Sequence, residues 1–248
     1  MKRILLTIEY EGTAYAGWQR QINGLAVQQV LEEAISRTVH APITVTGASR
    51  TDAGVHALGQ RAHFDTDSGI PPEKWPYVLN TSLPPDVKVN HACRVDGRLH
   101  ARFSASSKQY EYRIFNRRQP SALRRNFCAF VPLPLNLDNM QEALPALLGR
   151  HDFAAFEAAG GTAKTTVRSI TEARLDQAED EIVFRITGDA FLYNMVRIIA
   201  GTLIAIGQGR KPVDSFARAI NSGNRLDLGI TAPAQGLTLL RVDYEGLL

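Results

Sequence analysis

The chain has 248 residues, 44% of them hydrophobic and 21% charged, with a formal net charge of +3. That is the make-up of a soluble globular protein with room for one large domain or two small ones, and a charge so near neutrality selects no class of partner by itself. The longest apolar run, around Ile198 to Ile206, is interrupted by Gly201 and Thr202, falls short of membrane-spanning length, and reads as a buried helix.

From the start, Met1 to Leu6 offers too short an apolar stretch for a signal peptide. Lys2 to Tyr10 places Ile4, Leu6 and Ile8 on one side, the period of a strand. Leu25 to Val39 carries Val27, Val30, Leu31, Ala34, Ile35 and Thr38 at helical spacing. Ile43 to Thr46 and Gln60 to Asp65 are short strands around a turn. Pro71-Pro72-Glu73 opens a helix through Leu79, proline being tolerated in a first turn, and Val87 to Val95 is again a strand.

Gln109 to Phe115 then alternates as a strand, and Asp138 to Leu148 is helical. Thr166 to Leu175 and Glu181 to Thr187 form a hairpin. A long apolar helix covers about Phe191 to Ile206, a short one Val213 to Asn221, and Leu237 to Tyr244 closes the chain as a strand. The order strand, helix, strand, strand, helix, strand thus recurs. It predicts an α+β protein of two ferredoxin-like (RRM-like) halves, residues 1–105 and 106–248, with antiparallel sheets meeting at a central cleft and helices outside. The proline-rich stretch Gln119 to Pro134 is the expected hinge. Cys93 and Cys128 have no metal-ligand spacing and suit a reducing compartment, so a cytoplasmic protein without a membrane role is expected.

The segment GASRTDAGVHALGQRAHFDT, Gly47 to Thr66, holds the chemistry. As a plain turn it needs Asp52 and Gly54, but not Arg50. In extended chain, residues two apart share a side, so Arg50 and Asp52 present a guanidinium and a carboxylate to one surface while Thr51 turns away to anchor the backbone. Small Ala53 and Gly54 leave room for a flat ligand. A lone carboxylate there suits nucleophilic or general-base work, and not the paired carboxylates of glycoside hydrolysis. His56 and His63 fit no metal pattern and read as structural, Gly160-Gly161 is no phosphate loop, and neither cofactor nor metal is expected.

Tyr110 and Tyr112 in KQYEYRIF share a face, with Glu111 and Arg113 opposite. They are either core aromatics or a surface for a flat base. Arg197 lies in the apolar FLYNMVRIIAG and needs a carboxylate if buried; Asp52 is the favoured partner, Asp189 the alternative. Between Arg113 and Arg125, RIFNRRQPSALRR carries five arginines and no acid. It is a solvated face or a grip on phosphate.

RTDAGVHA, Arg50 to Ala57, resembles the signature of the TruA family of tRNA pseudouridine synthases. YEGTAYAGWQRQ, KQYEYRI, MVRIIAGTLI and PAQGL are similar to that family's segments in the same order, across essentially the whole chain. The resemblance implies isomerisation of uridines at positions 38 to 40 of the tRNA anticodon stem-loop, without cofactor or metal, by a homodimer whose positively charged clefts contact tRNA from both subunits. Uracil is detached from ribose, rotated and rejoined through carbon 5. It implies Asp52 as the essential aspartate, Tyr110 stacking on the target base, Arg197 pairing with the aspartate, Arg50 helping the nucleotide leave the stack, and Leu237 as an apolar wall. Attack on the sugar, attack on the base and removal of a sugar proton stay open for Asp52 at this point. Two rivals are a non-catalytic RNA-binding protein on the same halves and an aspartate-dependent hydrolase of a small nucleoside.

Overall fold

Alternation makes strands of Lys2–Tyr10 (β1), Thr46–Gly47 (β2), His56–Thr66 (β3), Val87–Val95 (β4), Ser107–Asn116 (β5) and Ala129–Val131 (β6). Gly149–Asp152 (β7), Val167–Ala178 (β8), Glu181–Gly188 (β9) and Leu237–Asp243 (β10) follow. The α-helices are Val27–Val39 (α1), Trp75–Asn80 (α2), Leu137–Ala143 (α3), Met195–Gly207 (α4) and Ser215–Ser222 (α5). The protein, a computed structural model, is described over residues 1–246 and is a mixed α+β structure. No helix among those residues is long and apolar enough to cross a membrane.

The chain divides into two compact units, Met1–Lys108 with Thr238–Leu248, and Gln109–Leu237. The closing strand therefore groups with the first unit, where a division at 105/106 had placed everything later in the second half. The cause is pairing: Thr238 and Leu239 run parallel to His56 and Ala57 of β3. Residues 247 and 248, the end of the expected half, lie outside the described residues. The proline-rich stretch is not at either boundary but inside the second unit, where β6 pairs with β5 at Ile114, Phe115 and Asn116.

In the first unit β1 is central, antiparallel to β3 (Ile4 opposite Phe64) and to β4 (Leu6 opposite Ala92), and β2 pairs with β3 at His63 and Ala62. The helices cover this sheet with buried Leu31, Ala34 and Ile35 of α1 and Trp75 and Leu79 of α2. Trp75 meets Phe64 edge-on at 5.0 Å between centroids.

In the second unit the strand order is β5-β9-β8-β7. Helix α4 is buried on most sides, and Gly201 explains how: a Cβ there would overlap the Ile230 carbonyl oxygen, so chain 228–232 lies directly on the helix. Helix α4 begins four residues later than expected because Asn194 adopts φ 59°, ψ 7°, a left-handed conformation that closes the preceding loop. Helix α3 ends at Ala143 and tightens into a 3-10 turn, Leu144–Leu147, where Pro145 supplies no N–H. The strand expected at 43–46 shrinks to two residues, while β3 extends back to His56 and so starts beside the Asp52 turn.

Candidate active site

The Asp52 segment carries no regular structure of its own, and its shape is imposed by side chains from three directions. Thr51, 7% exposed, does turn inward as expected, its Oγ1 hydrogen-bonded to the Tyr10 hydroxyl at 2.7 Å. Gln60 of β3, wholly buried, treats Ser49 as a ladder partner: its Oε1 accepts from the Ser49 N–H at 3.1 Å and its Nε2 donates to the Ser49 carbonyl at 2.8 Å. Lys108, also buried, donates from Nζ to the Ala48 carbonyl at 2.8 Å. Each removes a backbone group or a hydroxyl from the list of buried polar atoms that otherwise destabilise a fold.

The turn itself is Asp52-Ala53-Gly54-Val55, closed by the Val55 N–H on the Asp52 carbonyl at 3.1 Å, with Gly54 at φ 77°. Positive φ at the third position is why glycine stands there. The segment Gly12 to Trp18 lies underneath. A Cβ on Gly12 would overlap the Val55 carbonyl oxygen, one on Gly17 would come 2.6 Å from the Thr51 oxygen, and the Trp18 N–H donates to that oxygen at 3.0 Å. His56 is buried with Nδ1 accepting the Gly12 N–H at 3.0 Å, the structural role expected of it. Asp52 is half-buried and Arg50 exposed.

His63 is structural as well. It is buried in β3 and its Nδ1 accepts the Ala101 N–H at 3.1 Å. Burial, reinforced by the Arg3 charge and by His100, pushes its pKa down to about 4. Among the described residues no group of three His, Cys, Asp or Glu is placed to hold a metal ion.

Of the five predicted site residues, Arg50 and Asp52 belong to the first unit and Tyr110, Arg197 and Leu237 to the second. Tyr110, 6% exposed, packs edge-to-face on Phe191 at 5.1 Å. Arg197 is half-buried; its Nε donates to the Ala232 carbonyl at 2.9 Å and its Nη1 to Asn194 Oδ1 at 2.7 Å. The Tyr112 hydroxyl donates to the next carbonyl, Pro233, at 2.8 Å. Two successive carbonyls are thus pinned, and the chain runs on through a 3-10 turn, Ala234–Gly236, to buried Leu237. Gly236 is needed there because a Cβ would come 2.7 Å from the Tyr112 ring. Asp189, the alternative partner for Arg197, accepts from the backbone N–H groups of Ala190 at 2.6 Å and Ser169 at 3.1 Å.

The basic run is less free than its sequence implies. Arg113 bonds Glu111 at 2.7 Å, Arg117 lies 3.5 Å from Asp180, and Arg124 pairs with Glu181. Glu111 lies two residues before Arg113 on β5, whereas Asp180 and Glu181 come from the β8–β9 hairpin, which local sequence reading does not bring near. Arg118 and Arg125 have no acidic partner among the described residues. Sequence reasoning also missed Tyr10, Gln60, Lys108 and Asn194, which are supports rather than bearers of chemistry. The only local signal for them was a polar side chain on a strand or helix face otherwise buried.

A family model described as tRNA pseudouridine synthase matches residues 6–104 and 143–245. A tRNA pseudouridine synthase A of Acetivibrio thermocellus is 46% identical over 244 residues, covering 98% of this chain and 100% of that one. Proteins with the same name from Thermoanaerobacter sp. (44% over 244 residues) and Ruminiclostridium cellulolyticum (46% over 245) are covered to the same extents.

Proposed function

The chain belongs to the tRNA pseudouridine synthase family, and from that premise we propose that it converts uridines at positions 38 to 40 of the tRNA anticodon stem-loop to pseudouridine, with Asp52 as the essential carboxylate. It is an isomerase: the bond between ribose and uracil nitrogen breaks, the ring turns, and a bond to carbon 5 replaces it, with no atom gained or lost. Arg50, Tyr110, Arg197 and Leu237 are the substrate-binding residues in this reading.

One observation carries it. The chain leading into Asp52 is fixed by buried groups, the Thr51 hydroxyl by Tyr10 and the Ser49 backbone by Gln60, and the turn after it is closed by the Val55 N–H, while the residue itself is half-buried beside an exposed arginine. A base within a stem is out of reach of any carboxylate until it is turned out, at a cost of a few kcal/mol. A rigid acid waiting for an extruded base avoids adding a reorganisation cost to that one. Tyr110, already held by Phe191, is a ring suited to receive the pyrimidine.

The reading extends to a cytoplasmic homodimer, each unit ferredoxin-like, working without cofactor; the β4-β1-β3 order with β2 beside β3 supports that topology for the first unit. The deciding experiment is Asp52→Asn with pseudouridine mapped in tRNA. Conversion is expected to vanish while tRNA affinity stays and weakens steeply with added salt. Persistent conversion overturns the reading, and a wild-type protein that binds tRNA without converting it favours a purely RNA-binding protein.

A further inference from the structure

His100-Ala101-Arg102-Phe103 leaves β4 through a turn whose geometry is set by hydrogen bonds. His100 Nδ1 accepts the N–H of Arg102 at 3.2 Å and of Phe103 at 3.3 Å, and the Ser104 hydroxyl accepts the His100 N–H at 2.9 Å. Yet the ring this turn presents is largely open to solvent. Phe103 is 78% exposed, stacked on His100 at 4.4 Å with 30° between planes, and the Arg102 guanidinium lies 5.8 Å from its centroid. Buried Ala101, whose carbonyl accepts from the Tyr244 hydroxyl at 2.7 Å and whose N–H bonds His63, ties the turn to the first unit's core.

The turn and its neighbour Arg50 carry positive charge. Arg102 and Arg50 are both exposed and neither has an acidic partner among the described residues. They lie near enough that the Arg50 charge, after burial, lowers the Arg102 pKa. Like charges left unneutralised around a stiff, solvent-facing ring are a poor way to stabilise a fold. They are the composition of a single-stranded nucleic-acid contact, a π-face for a base with guanidinium groups for the flanking phosphates.

We propose that Phe103 and Arg102 form a second contact for the RNA substrate, taking an unpaired nucleotide beside the one turned out to Asp52. Its base stacks on the outer face of Phe103 and its phosphate meets Arg102 and Arg50. His100 backs the ring from the other side, so the platform is in place before RNA arrives. The inference rests on the reading of Asp52 and Arg50 as the site that receives the extruded uridine.

The test uses the full-length protein with a labelled anticodon stem-loop RNA, comparing Phe103→Ala, Phe103→Leu, Phe103→Trp and Arg102→Ala. Phe103→Ala is expected to weaken binding about tenfold, the size of one base–ring stack, with an unchanged salt slope. Phe103→Trp is expected within about threefold of wild type and Phe103→Leu close to alanine, because the contact needs a π-face and not apolar area. Arg102→Ala is expected to lower the slope of log affinity against log salt by about one. Wild-type affinity in Phe103→Ala, full rescue by leucine, an unchanged slope in Arg102→Ala, or a changed oligomeric state in Phe103→Ala each overturns the proposal. A wild-type protein that makes no pseudouridine removes the underlying reading as well, whereas normal conversion with unaffected Phe103→Ala binding removes only this contact.

Discussion

The Asp52 turn and the Arg113–Arg125 run are both irregular, both polar, and held by opposite means. Around Asp52 the fixing groups are buried and neutral for the most part: Gln60 bonds the N–H and carbonyl of Ser49, and Tyr10 the hydroxyl of Thr51. Along the basic run the fixing groups are charged, 44% exposed in Arg117, and bonded to one another: Arg117 with Asp180, Arg124 with Glu181. Water competes for the second kind and is excluded from the first. A buried polar side chain that loses its partner carries the full desolvation penalty, so it enforces one geometry; a surface ion pair that opens is re-solvated and enforces little. The molecule thus puts its rigid polar construction where a carboxylate must be aimed.

Four measurements rank that contrast. Gly12→Ala drives a methyl into the Val55 backbone carbonyl, which cannot swing aside as a side chain can, and is expected to cost about 3 kcal/mol in denaturant unfolding and to depress turnover with it. Gln60→Met leaves the Ser49 N–H and carbonyl buried without that partner; about 2 kcal/mol is expected, and the turnover number should fall more than tRNA affinity does. His63 gives a smaller effect with a sign. Its folded pKa of about 4 lies below the ordinary histidine value of about 6.5, so the unfolded chain binds the proton first. Stability that is full above pH 6.5 is therefore lost as pH falls toward 4, on the order of 1 kcal/mol by pH 5, and His63→Gln flattens that limb of the stability curve. Last, Arg117→Ala is expected to change stability by less than about 0.5 kcal/mol, and less again in high salt. A larger loss for Arg117 than for Gln60 would reverse the comparison.

Much of the architecture was legible because period is a local property. Lys2–Tyr10 and Val87–Val95 agree with the sequence reading to the residue, and β8, β9 and α5 to within about three residues. What failed was non-local. The start of α4 depended on the left-handed Asn194, whose side chain serves Arg197 instead of capping the helix. The acids that meet Arg117 and Arg124 come from more than fifty residues away, Asp180 and Glu181 respectively. At the candidate site, Thr51 as an anchor and Gly54 as the positive-φ residue followed from turn chemistry. Gln60 and Lys108 did not, because nothing in a strand's alternation says that a polar side chain will act as a backbone partner for a neighbouring loop.

The parallel pairing of Thr238 and Leu239 with His56 and Ala57 has a temporal consequence. A ribosome delivers β3 long before its parallel neighbour β10, and every residue of the second unit is made in the interval. The strand leading out of the Asp52 turn thus waits with an unsatisfied edge until Thr238 and Leu239 emerge, a closure of very high contact order. A nascent chain stopped before residue 238 holds the whole RTDAGVHA motif and still has an incomplete first unit.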